Sequence, residues 1–137
     1  MRRAILLLAA AASLAVPPSA EAAPTGTLVV IAKLHSRHQE KPGAFSFRQD
    51  LFQAKLRVGT SRVRCARRSN RFSECRGTYR LATGTIKVAE LIRHGTRNPT
   101  LGIVKGTGEF SGATGTMHVD NLNRHTSRNT FRFSGSS

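Results

Sequence analysis

The chain has 137 residues, with 22 Lys and Arg against seven Asp and Glu, for a formal charge of +15. This length allows one domain around one core, and so few acids leave little material for paired-carboxylate acid/base chemistry. The cationic surplus favours anionic surfaces, whereas seven Phe, one Tyr and no Trp, mostly alternating as a core face would, do not supply the exposed stacking platform of a nucleic-acid module.

Met1-Arg2-Arg3 followed by the apolar run Ala4–Val16, the stop Pro17-Pro18 and the small residues of Ala20-Glu21-Ala22 predict a signal peptide over residues 1–22, cleaved before Ala23. The apolar run falls short of the roughly 20 residues that cross a bilayer, and no later segment is apolar enough to span one. The expected mature domain, residues 23–137, is secreted or periplasmic. Having lost two arginines and one glutamate, it keeps a charge of +14.

Thr27–His35 is rich in aliphatic and β-branched residues and predicts a first strand. Ser36–Gly43 follows as a polar loop or lid. Ala44–Arg48 alternates, with Phe45 and Phe47 on one face, and Leu51-Phe52 with Leu56–Gly59 suggests a bent strand or a connection. Arg62–Arg67 and Ser73–Tyr79 form the arms of a hairpin with Arg68–Phe72 at its tip, which sets Cys65 opposite Cys75. A disulfide there would restrict the unfolded chain by about 2–3 kcal/mol, and export makes it persistent. The alternative is a reactive thiol at Cys65. Two cysteines without a matching histidine pair predict no metal site.

Gly77–Leu81, Thr85–Ile92, Leu101–Val104, Thr116–Asn121 and Thr130–Phe133 read as further short strands, with turns at Thr83-Gly84, Gly95–Pro99 and Asn123–Asn129. About eight strands without helical connectors predict an all-β, eight-stranded antiparallel up-and-down β-barrel, lipocalin-like in outline, whose interior holds either one small ligand or a filling of side chains.

Gly106, Gly108, Gly112 and Gly115 punctuate one strand-like stretch. The spacing is not a dinucleotide fingerprint, because Ser111 stands where the third glycine belongs and the following residues alternate with period two. Glycines in strands mark bulges, bends and close backbone approach, so this segment is expected to turn a corner of the barrel. Glu109 sits at that bend and is expected to face solvent.

Together with Asp50–Gly59, Gly77–Leu81, Gly84–Val88 and Thr130–Gly135, the run Ile103–Met117 resembles the allene oxide cyclase and dirigent barrel family over roughly residues 45–135. Lys105–Gly115 is similar to that family's Gly-Gly-x-Gly-x-Phe/Tyr-x-x-Ala-x-Gly segment, with Lys105 in place of the first glycine. The resemblance implies an eight-stranded barrel with a pocket at one mouth and a homo-oligomer, since plant members form trimers. Cyclases of the family steer ring closure of a fatty-acid epoxide with a first-strand glutamate; the matching Val30–His35 has no carboxylate. The family's pocket cysteine matches Cys65, where Cys75 is available to tie it up. Dirigent proteins orient phenoxy radicals with pocket aspartates and an arginine; Thr114 occupies the arginine place. The acidic pair matches Gln49-Asp50, which makes Asp50 the one ligand-binding candidate that the resemblance carries over.

The reading favoured is a secreted barrel that binds a small apolar or phenolic ligand without turnover and without a cofactor. Its alternatives are an isomerase of the cyclase kind or a guide of phenoxy coupling, and a cationic module for anionic envelope polymer.

Overall fold

The computed structural model describes residues 22–135, so the predicted leader falls outside the described residues except for Ala22. Eight strands follow in chain order: β1 (Thr25–Lys41), β2 (Ala44–Gln53), β3 (Leu56–Arg67), β4 (Phe72–Leu81), β5 (Gly84–Arg93), β6 (Thr100–Gly108), β7 (Gly115–Asn121) and β8 (Thr126–Ser134). Each pairs antiparallel with its neighbour, and β8 returns to β1 with Leu28 opposite Phe131, which closes the barrel. Closure leaves neither edge of the sheet unpaired.

Alternation fixes which side chains enter. Val30 and Ala32 of β1, Leu51 of β2, Val63 of β3, Tyr79 of β4, Ile86 and Val88 of β5, Met117 of β7 and Phe131 of β8 are buried inside. Between them Arg48, Arg62, Arg80 and Lys87 are exposed on the outside.

The even loops and the odd loops gather at opposite ends. At one end the β6–β7 connection folds under the barrel, where Phe110 and Ala113 are buried and Phe110 stacks on Phe133, their ring centres 5.9 Å apart. Phe133 meets Phe131 and Phe131 meets Tyr79 edge-on at 5.2 Å, so an aromatic column rises from this floor to the barrel's middle. The glycine segment permits this closure. A Cβ on Gly106 would collide with the Phe110 carbonyl oxygen, and Gly115, at φ 127°, presses against the Arg132 carbonyl. Gly108 and Gly112 lie in the same fold-back. Glu109 is exposed there, where its carboxylate accepts from the Thr83 hydroxyl (2.6 Å).

Two expectations need correction. Ser36–Lys41 is not a loop or lid but the end of β1, paired with Ala44–Arg48 around a turn at Pro42-Gly43, with a bulge at Glu40. An outlying hairpin ladder is held by backbone bonds and needs no apolar alternation. Likewise the turn expected over Asn123–Asn129 ends by Thr126, where β8 begins.

Candidate functional site

Above the aromatic column the barrel is not filled. A cavity of about 320 Å³ opens toward the other end, between the β5–β6 connection (residues 94–99), the β7–β8 connection (122–125) and the β1–β2 hairpin. Its walls are apolar, with Leu34, Phe47, Val63, Val88, Leu101 and Met117 among them. They are inward positions of strands that the alternation itself selects.

A short chain of hydrogen bonds crosses the cavity's inner end. The Ser127 hydroxyl donates to Asn129 Oδ1 (2.8 Å) and Asn129 Nδ2 donates to the Tyr79 hydroxyl oxygen (2.9 Å), with Met117 Sδ a weaker acceptor at 3.8 Å. With its oxygen accepting from Asn129, the Tyr79 hydroxyl has its own proton left to donate. Burial pushes the Tyr79 hydroxyl well above the usual tyrosine value, although the Asn129 hydrogen bond works in the opposite direction. It is therefore a neutral donor at every physiological pH. On the adjoining wall Ser61 donates to Gln49 Oε1 (2.8 Å), which leaves the Gln49 amide donors free of that bond.

The mouth is cationic. Arg37, Arg97, Arg124 and His125 contribute to the lining, and no Asp or Glu does. The Arg37 guanidinium lies over the Phe45 ring, 4.5 Å from its centre, which holds it at the rim. Arg97 is tethered through its carbonyl, which accepts from the Asn121 side-chain amide, while Asn98 Oδ1 accepts from the Asn121 backbone N–H (2.9 Å). Donors and cations thus surround an apolar space. Such a site suits a molecule with an apolar body and acceptor or anionic oxygens, and its lining supplies no carboxylate to offset a developing positive charge.

The predicted site residues separate. Cys65 and Cys75 form the disulfide expected of them, directly opposite each other on β3 and β4. They face the cavity as part of its wall, and no free thiol remains there. Asp50 lies on the outer face of β2, bound to Arg57 (3.0 Å) and His35 (3.3 Å), and it does not line the cavity. Its neighbour Gln49 does, since one residue along a strand reverses the face. His94 contacts Ser73 at 2.9 Å and His118 contacts Thr100 at 2.8 Å. Among the described residues no group of three or more His, Cys, Asp or Glu is gathered to hold a metal ion. No helix there is long and apolar enough to cross a membrane.

The inner polar group was missed because Ser127 and Asn129 sit in a run that reads as a turn. The signal available was parity: Ser127, Asn129, Phe131 and Phe133 alternate as one face.

No family model matches the sequence, and no curated protein matches it. Among solved structures the chain is similar to pyocyanin demethylase, with a TM-score of 0.69 and 21% identity over 80% of this chain and 100% of that one. A likeness at this identity establishes the barrel fold.

Proposed function

We propose that this protein is an exported barrel, distantly related to the allene oxide cyclase and dirigent family, that binds a small apolar or phenolic molecule in its open half without converting it. The observation that carries this reading is the 320 Å³ cavity, apolar in its walls and provided inside with the Tyr79 hydroxyl, which Asn129 orients, and the Gln49 amide as donors. A volume near the lower end of the usual range for ligand pockets, about 300–1,000 Å³, fits a ligand of one or two rings. The kinship rests on the glycine segment, whose family-like spacing coincides with the fold-back that seals the floor. A barrel of this shape also serves a protein whose name makes pyocyanin its substrate. The disulfide is compatible with a secreted or periplasmic address.

Binding is preferred over cyclase or phenoxy-coupling chemistry because the cavity lining contains no carboxylate and Asp50 points away from it. Titration with the neutral fluorescent probe N-phenyl-1-naphthylamine, displaced by a simple phenol, tests the reading. Saturable binding is expected in the wild type. Val119→Trp, which fills the half-buried mouth position, should weaken it by about tenfold or more. Equal binding by both proteins would place the probe elsewhere and contradict the proposal. Turnover of an unsaturated epoxide, lost in Asp50→Ala, would favour the cyclase reading instead.

A further inference from the structure

The outer wall carries a feature that the cavity does not explain. Along one row of the sheet Arg48 of β2 stands opposite Arg62 of β3, then come Thr78 of β4, Lys87 of β5 and Lys105 of β6, each paired to the next in register. All four cations are exposed. Like charges directly opposite one another on a sheet face destabilise it, and this row contains two such pairs, Arg48 with Arg62 and Lys87 with Lys105.

The neighbouring row shows how the fold treats the same problem where it solves it internally. Arg64 also stands opposite Arg76. There Glu40 binds Arg64 at 2.7 Å and Glu74 binds Arg76 at 2.8 Å. Among the described residues the bare row has no such ion pairs, although the six mature acids include the two spent next door. Its β2–β4 part opens onto a groove of about 590 Å³, whose lining also includes Arg80, the hydroxyls of Thr60 and Thr78, and one carboxylate, Asp50, which Arg57 and His35 already bind.

We propose that this row is a binding site for an acidic polysaccharide, whose carboxylates take the place that Glu40 and Glu74 fill in the adjacent row. Four inter-strand steps of about 4.8 Å give an arc of about 19 Å along the wall, on which two cation pairs flank Thr78 and meet anions of one polymer chain. The array follows the curved wall through five of the eight strands. Its occupant must bend over that short distance, which a duplex with a persistence length of about 50 nm does not do readily. A single-stranded nucleic acid would want aromatic platforms for its bases, and the groove lining has no Phe, Tyr or Trp, its one ring being His35, which is held against Asp50. Threonine hydroxyls beside the cations suit a polymer rich in hydroxyl groups. The site is separate from the cavity and stands or falls independently of it.

Immobilised alginate tests the proposal, with neutral dextran and single-stranded poly-dT as comparison polymers. The purified protein should bind alginate at low salt and not dextran, with affinity falling linearly in log–log form as salt rises. Replacing Arg48, Arg62 and Lys87 by Ser should weaken binding about tenfold or more and flatten the salt dependence. The control triple Arg71→Ser, Arg93→Ser and Arg132→Ser removes the same charge from other places and should stay within about twofold. The row variant should melt no lower than wild type because opposed like charges have been removed, and alginate should raise the melting temperature of the wild type but not of that variant. No binding to alginate, equal losses in the two triples, or tighter binding to poly-dT than to alginate would each overturn the proposal.

Discussion

The two ends of this barrel are built from the same alternating strands but finished in opposite ways. At the floor Phe110, Phe133 and Phe131 stack above a connection that glycines allow to fold inward. At the mouth the inward positions become Gln49, Ser127 and Asn129, and the rim becomes Arg37, Arg97 and Arg124. Packing both halves alike would raise stability, since buried polar groups contribute little net beyond avoiding their own desolvation. The contrast therefore points to the floor as the half that holds the barrel together and to the mouth as the half that is free to bind. Tyr79 joins them, with its ring on Phe131 and its hydroxyl in the polar group.

The sharpest way to break this comparison is at the floor. Phe110→Ala removes the buried stack on Phe133 and should cost about 3–5 kcal/mol, read as a lowered urea midpoint. A loss below about 1 kcal/mol would mean that the fold-back is not part of the core.

At the joint the expected effect is smaller. Tyr79→Phe strands the Asn129 amide and should cost about 1–2 kcal/mol. It also carries a pH signature. The folded chain holds the Tyr79 proton above the ordinary value of 10.0 at which the unfolded chain releases it. Its contribution is thus fully present below about pH 10 and falls as pH rises beyond that point. Wild type should lose more stability than Tyr79→Phe between neutral pH and about pH 11. Because Tyr79 is the chain's one tyrosine, its ionisation can also be followed directly by phenolate absorbance, which should appear only as the protein unfolds.

At the mouth the effect on stability should nearly vanish. Arg97→Ala with Arg124→Ala should change unfolding by no more than about 0.5 kcal/mol, while weakening an acidic phenol more than a neutral one. Equal weakening of the two would mean that these arginines act through packing and not through charge.

How much of this was legible in the sequence follows from the same contrast. The floor was readable because it is made of apolar alternation and of glycines whose spacing has a backbone meaning, so the closed barrel and the corner at Gly106–Gly115 could be stated beforehand. The hairpin geometry likewise placed Cys65 opposite Cys75. The mouth was hidden for a physical reason. Once inward positions turn polar, the period-two signal loses its markers, and Ser127 and Asn129 resemble a turn while Arg37 resembles a loop residue. Family resemblance pointed to Asp50 where the interior holds Gln49, a difference of one residue that on a strand means the opposite side of the wall.

The central claim is that the mouth half receives a ligand while the floor half does not change. Amide NMR of backbone and side chains together with methyl NMR, during titration with a phenol, measures it most directly. The account predicts saturable shifts at the Asn129 and Gln49 amides and the Met117 methyl, with the Ala113 methyl and the Gly106 amide at the floor unmoved. Shifts confined to the outer wall, or none at all up to millimolar phenol, would contradict it.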